Sequence, residues 1–125
     1  MKKIINSQNA PAPIGPYSQA VLAGNTLYVS GQIAIDASTG KMMDETIEIE
    51  TKQVMENLGE ILIEAGLGFE NVVKCSIFLS SMNDFSKVNE VYGKYFQENP
   101  PARETVEVSV LPKNVNVEIS CIAVK

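Results

Sequence analysis

The C-terminal run RETVEVSVLPKNVNVEISCIAV alternates apolar and polar residues in two segments, Arg103 to Leu111 and Val115 to Val124, broken by Pro112-Lys113-Asn114. Period-two alternation is the pattern of a strand with one covered face, so this stretch commits the chain to a β-sheet that something must cover. The short break predicts a tight turn, and hence a hairpin. Val106, Val108 and Val110 would share the covered face, leaving Arg103, Thr105, Glu107 and Ser109 on the other. In the last strand Val117, Ile119, Cys121 and Ala123 form the apolar set, which sends Glu118, Ser120, Ile122 and Val124 to the face of Arg103. Hairpin pairing places Glu118 opposite Glu107 or Ser109, with its backbone about 13–20 Å from that of Arg103.

The cover is helical. From Thr46 to Ala65 the residues Ile47, Val54, Leu58, Ile61, Leu62 and Ala65 recur at helical spacing, with Glu and Lys opposite, and Gly66 suits the left-handed C-terminal cap. Phe85, Val88, Tyr92, Tyr95 and Phe96 mark a second amphipathic helix, with Asn83 or Asp84 as its N-cap. Between them Asn71 to Ser80 reads as a strand with Val73, Cys75, Ile77 and Leu79 on one face. Upstream, Lys2 to Ser7 is a short strand and NAPAPIGP an irregular loop. Tyr17 to Leu22 and Thr26 to Ile35 suit a hairpin across Gly24-Asn25, and Asp36 to Lys41 is a turn. This interleaving predicts an α+β fold in which both helices cover one face of a mixed sheet, with residues 1–125 forming one domain.

Composition narrows the chemistry. A net charge of −5 without basic runs argues against nucleic acid as the main ligand. No stretch approaches the roughly 18 apolar residues of a membrane span, and MKKIINSQNAPAP lacks the apolar core of a signal peptide, which points to a cytoplasmic protein. The absence of histidine removes the commonest metal ligand and the usual general base. Cys75 and Cys121, in apolar runs without CxxC spacing, read as small buried hydrophobes.

Arg103 is the only arginine in the chain, whereas nine positions carry lysine. Its planar guanidinium can grip a carboxylate through two parallel hydrogen bonds, so it is either a ligand clamp or a plain surface charge. The face assigned to Arg103 and Glu118 mixes charge with Leu111, Ile122 and Val124, a composition that suits cover by another subunit. The two residues could be separate interface ion-pair partners, or symmetry could unite them across an inter-subunit cleft. In VSGQ, Gly31 in mid-strand indicates either a β-bulge or the close approach of a backbone or ligand, with its N–H as an anion donor. Tyr17, after the Gly-Pro turn, would be a lid or an interface aromatic.

Three segments, IGPYSQA (Ile14 to Ala20), VSGQI (Val29 to Ile33) and PPARETVEVSVLPKNVNVEISCIAVK (Pro100 to Lys125), resemble the reactive-intermediate deaminase family, RidA, formerly called YjgF. TKQVMENLGEILIEAGL, VVKCSIFLSSMNDF and VNEVYGKYF extend the likeness over essentially the whole chain. The resemblance implies a chorismate-mutase-like α+β fold in a barrel-like homotrimer with ligand clefts between subunits. It implies hydrolysis of 2-imino acids, of the 2-iminobutanoate and 2-iminopropanoate type, to 2-oxo acids and ammonia, with no metal or organic cofactor. By position, Arg103 matches the arginine that binds the substrate carboxylate, the Gly31 N–H a second contact to it, and Glu118 the acid that activates water. Tyr17 and Ser30 match cleft residues, Asn89 a pocket wall, and Thr105 a position where many members have cysteine. Glu104, in place of a small residue, departs from the pattern. A non-catalytic protein binding small carboxylates would use the same clamp, and RNA binding or cleavage has also been attached to the family.

Overall fold

The computed structural model describes residues 1–125. Its strands are β1 (Lys2–Ile5), β2 (Ala20–Ala23), β3 (Thr26–Gln32), β4 (Val72–Leu79), β5 (Ala102–Glu107) and β6 (Val117–Val124), and its helices are α1 (Ile47–Glu64) and α2 (Phe85–Gly93). The six strands form one sheet in the order β1-β2-β3-β6-β4-β5. Only the β4–β5 pair is parallel, so the sheet is mixed and the fold α+β, as expected.

The expected hairpin between β5 and β6 does not form. Beyond Glu107 the chain does not turn back beside β5, and β4 separates the two strands, pairing with each. The Pro112–Asn114 segment is a short 3₁₀ turn in which Lys113 and Asn114 both take a positive φ of 55°. The alternation was sound, but strand adjacency in sequence is not pairing in space: β5 enters from α2, and a helical crossover delivers it parallel to β4.

Helix α1 starts where Thr46 accepts the Ile49 N–H at 3.1 Å, and ends before Gly66, whose φ of 77° lets the Leu67 N–H close back on the Leu62 carbonyl at 2.9 Å. Val54, Met55, Leu58, Ile61 and Leu62 are buried against Leu27, Ile77, Val117, Ile119 and Ala123, placing the core between the helices and one sheet face. Helix α2 is preceded by a 3₁₀ turn, and the hydroxyl that caps is that of Ser81, accepting the Asn83 N–H, while Asp84 precedes α2 without a side-chain cap. In β4 a register shift between Val72 and Lys74 buries Val72 and leaves Val73 exposed, reversing the expected assignment at that end. Cys75 and Cys121 lie opposite each other as buried free thiols, both pushed up from the usual thiol range chiefly by burial. Neither helix is long and apolar enough to cross a membrane.

Candidate active site in two halves

Residues paired across adjacent strands point to the same face, so the register decides which polar groups share a side. Cys75 is opposite Arg103 and buried beneath the helices, and Ile77 and Leu79 are opposite Thr105 and Glu107. Arg103, Thr105 and Glu107 therefore lie on the helix face, not opposite it. Phe78 is opposite both Glu118 and Val106, and these occupy the open face. The placement of Arg103 and Glu118 on one face is thus corrected. The Val106-Val108-Val110 set misled because alternating valines report a strand with an apolar face, not which neighbour covers that face. Val106 and Val110 are in fact exposed.

The first half of the site is held between β5 and α2. Arg103 Nη1 donates to Asn89 Oδ1 at 2.7 Å, and its guanidinium carbon stands 5.0 Å from the Tyr92 ring centre and 5.7 Å from that of Phe85. This aromatic pair presses the guanidinium into one orientation. Asn89 consumes one donor, and no carboxylate lies within ion-pair distance, since the chain's one such pair is Lys74–Glu104 at 2.9 Å. Thr105 stands two residues further along the same face, and its buried hydroxyl has no partner within the chain. Glu104 projects to the face opposite Arg103, which here is the open one, where Ser76 donates to it and Lys74 pairs with it. Those contacts, the Ser76 hydrogen bond foremost, hold its carboxyl below the usual range. It therefore does not neutralise Arg103.

The second half lies on the open face where β3 meets β6 beneath the proline-rich loop. Ile14, Tyr17, Ser30, Gly31, Pro112 and Glu118 line a hollow of about 330 Å³, and a narrower recess of about 40 Å³ shares five of these six residues. The Glu118 carboxylate is half-buried without an ion-pair partner, and desolvation alone raises its pKa above the usual carboxylate value. Gly31 sits in a β-bulge, where the β3–β6 register shifts between Val29 and Gln32. A Cβ there would stand 2.6 Å from Glu118 Oε2, so the glycine also admits a close approach, by this side chain instead of by backbone. The bulge reading of Gly31 holds, while the approach seen here comes from a side chain and not from the backbone or ligand of the other reading. Ser30 donates its hydroxyl to the Ser18 carbonyl at 2.6 Å, and the Tyr17 hydroxyl accepts the Ile14 N–H at 3.3 Å while its ring stays half exposed.

Within one chain the halves do not meet. Glu118 is level with Val106, three residues from Arg103, and β4 lies between. That separates their backbones by on the order of 14 Å, on opposite sides of the sheet.

A family profile described as Endoribonuclease L-PSP matches residues 7–125. The chain is 50% identical over 125 residues to the 2-iminobutanoate/2-iminopropanoate deaminase of Rattus norvegicus, covering 100% of this chain and 91% of that one. It also superposes on the YjgF gene product of E. coli with a TM-score of 0.93 at 41% identity, covering 98% of each chain. The chain belongs to the RidA (YjgF) family. A second neighbour, E. coli TdcF with bound serine, matches at a TM-score of 0.94 and 39% identity over 98% of each chain.

Two buried polar residues of this RidA-family chain, one beside the recess and one beneath the start of β6, escaped sequence reading. Gln19 lies inside the IGPYSQA motif and is buried: its amide donates to the carbonyls of Ser7, Ala10 and Pro11 and accepts the Ser7 N–H at 2.6 Å, which folds the loop over the recess. Its position after Tyr17 was visible, but its burial was not. Glu50 carried no signal at all. It sits in the first turn of α1, where acids are common on a solvated face, yet it is fully buried.

Proposed function

We propose that the protein hydrolyses 2-imino acids to 2-oxo acids and ammonia, in clefts between the subunits of a homotrimer. The observation that carries this reading is the division of the site: a guanidinium locked in place without an acid partner on one sheet face, and a desolvated carboxylate without a basic partner on the other. Each half is what the other lacks. A neighbouring copy would complete it, with Arg103, Thr105 and Asn89 from one subunit and Tyr17, Ser30, Gly31 and Glu118 from the next. Exposed Tyr28, Val106 and Val124, with the partly buried Phe78 and Ile122, give the open face the apolar content of an interface.

The imine carbon is already electrophilic, so the chain must chiefly fix the carboxylate, hold a water and move a proton. Arg103 would hold the substrate carboxylate by its unoccupied donors, with the Gly31 N–H as a second contact. Glu118 would take a proton from water as the water oxygen bonds to C2 and the imine nitrogen gains a proton from solvent, giving a carbinolamine. The C–N bond then breaks, Glu118 returns its proton to the departing nitrogen, and the hydroxyl proton is lost to solvent as the 2-oxo acid forms. The raised pKa of Glu118 suits a group that must both take and give a proton. The rat relative's name supports the reaction class, and the serine in TdcF supports a cleft for small carboxylates.

The test is an assay in which an amino-acid deaminating enzyme supplies the imine, with 2-oxo acid formation measured with and without this protein and with Arg103→Ala. Co-refolding inactive Arg103→Ala with inactive Glu118→Ala then tests the shared cleft. A mixed trimer has one cleft with both native residues, so an equal mixture recovers about a quarter of wild-type activity. No acceleration by the wild type overturns the activity, and no recovery on mixing overturns the shared cleft.

A further inference from the structure

The loop that leads into β6 is tied down by one buried side chain. Glu50 has no exposure to solvent, and its carboxylate accepts three hydrogen bonds: the Asn116 N–H at 2.8 Å and the Val117 N–H at 3.3 Å to Oε2, and the Asn116 amide at 2.8 Å to Oε1. Asn116 is in turn joined to the end of β4, where the Ser80 N–H donates to its carbonyl at 3.0 Å and the Ser80 hydroxyl to its Oδ1 at 3.2 Å. The residue after Val117 is Glu118. Its side chain has no hydrogen-bonding partner of its own within the chain, and rests against Gly31 so closely that even a methyl group there would collide. The backbone just before Glu118 is therefore what aims its carboxylate, and Glu50 holds that backbone.

We propose that Glu50 is a positioning residue for Glu118, acting as a hydrogen-bond acceptor that sets the start of β6. It touches neither the hollow nor Arg103, and none of the roles assigned above uses it. A fully buried carboxylate persists only where hydrogen bonds compensate its desolvation, and here all of its donors come from the two residues that precede Glu118. Pro112, on the same β5–β6 connection, lines the recess, so the tether also bears on the wall of the pocket. The role needs an acceptor at this place, not a charge. A glutamine can keep one oxygen on the two backbone N–H groups, and the Asn116 amide can turn over to accept from its nitrogen.

The inference rests on the proposed hydrolysis for its kinetic readout and carries a second readout that does not. Glu50→Ala and Glu50→Asp are compared with Glu50→Gln in the imine assay, per folded protein, and the Glu118 carboxyl is titrated by carbon NMR in each. Expected are a fall in kcat of about tenfold or more in the alanine variant with KM within about threefold, a smaller fall in the aspartate variant, and kcat within about threefold of wild type in the glutamine variant. The Glu118 titration should move in the alanine and aspartate variants and stay in place with glutamine. Should the alanine variant fail to fold, the aspartate variant, which keeps an acid but draws it back, decides the question by the same two readouts. An unchanged Glu118 titration and kcat in the alanine or aspartate variant would overturn the inference, and so would equal losses with alanine and glutamine. If wild type shows no imine hydrolysis, the functional reading falls while the titration still judges the positioning role.

Discussion

Gly31→Ala isolates the contact on which the carboxylate half depends. Among the glycines only Gly24, Gly40 and Gly66 take a left-handed φ, so at Gly31 alanine brings no backbone strain. The added Cβ would lie 2.6 Å from Glu118 Oε2, 2.8 Å from Cδ and 3.0 Å from Cγ, where ordinary contact begins at 3.4 Å. The carboxylate must withdraw by about 0.8 Å or more. Because the Glu118 side chain is half-buried and makes no hydrogen bond, it can yield by turning away from its preferred rotamer, at a cost of about 0.5–1.5 kcal/mol. That is small for stability. For catalysis a misplacement near 1 Å is worth roughly a hundredfold in rate, so the expected result is a protein that unfolds within about 1.5 kcal/mol of wild type and loses kcat by about 10²-fold. Chemical denaturation and the coupled imine assay measure the two effects. A double-mutant cycle with Glu118→Ala ties both to this contact: removing Glu118 should abolish the stability cost of the added methyl. Wild-type kcat in Gly31→Ala, or a stability cost that persists without Glu118, would refute the reasoning.

Three further outcomes follow from the same geometry. Arg103→Lys should lose most activity, by about 10²-fold or more, with little change in thermal unfolding, because one ammonium cannot both hold Asn89 and present a planar pair of donors; near-normal turnover would remove the clamp role. Glu118→Gln should be inactive in the imine assay, yet more stable than wild type near neutral pH. Burial raises the Glu118 pKa in the folded state above its unfolded value, so its favourable contribution is present at low pH and is lost as pH rises through the folded pKa. The stability advantage of glutamine, read from denaturation curves between pH 3 and 8, should therefore vanish at the acid end, and an advantage that grows on acidification would contradict the sign. Glu104→Ala should keep activity within about threefold, since the carboxylate faces away from Arg103 and is held by Ser76 and Lys74; a large gain in affinity for anionic substrates would show instead that its charge reaches the cleft.

Much of this protein could be read without coordinates, because it depended on periodicity and local chemistry. The 3.6-residue spacing of Val54, Leu58, Ile61 and Leu62 marked α1, Thr46 and Gly66 bounded it, and the alternation after Val115 marked β6 and its buried face. Resemblance then singled out Arg103, Glu118, Gly31 and Tyr17. These signals survive in one dimension because a helix turn or a strand pleat involves residues only a few positions apart.

The placement of β4 between β5 and β6 was not of that kind. It depends on a parallel crossover through α2, and with it went the face of every β5 residue, since a strand pattern reports two sides without saying which is covered. Tertiary structure alone brought Asn89, Phe85 and Tyr92 around Arg103, set Glu118 against Gly31, and buried Glu50 beneath the start of β6. Sequence by itself determined which residues could do chemistry and which segments could carry them. The register of the sheet decided that an unpartnered cation and an unpartnered acid lie on opposite faces of one chain, because pairing between strands distant in sequence is selected by the packing of the whole core.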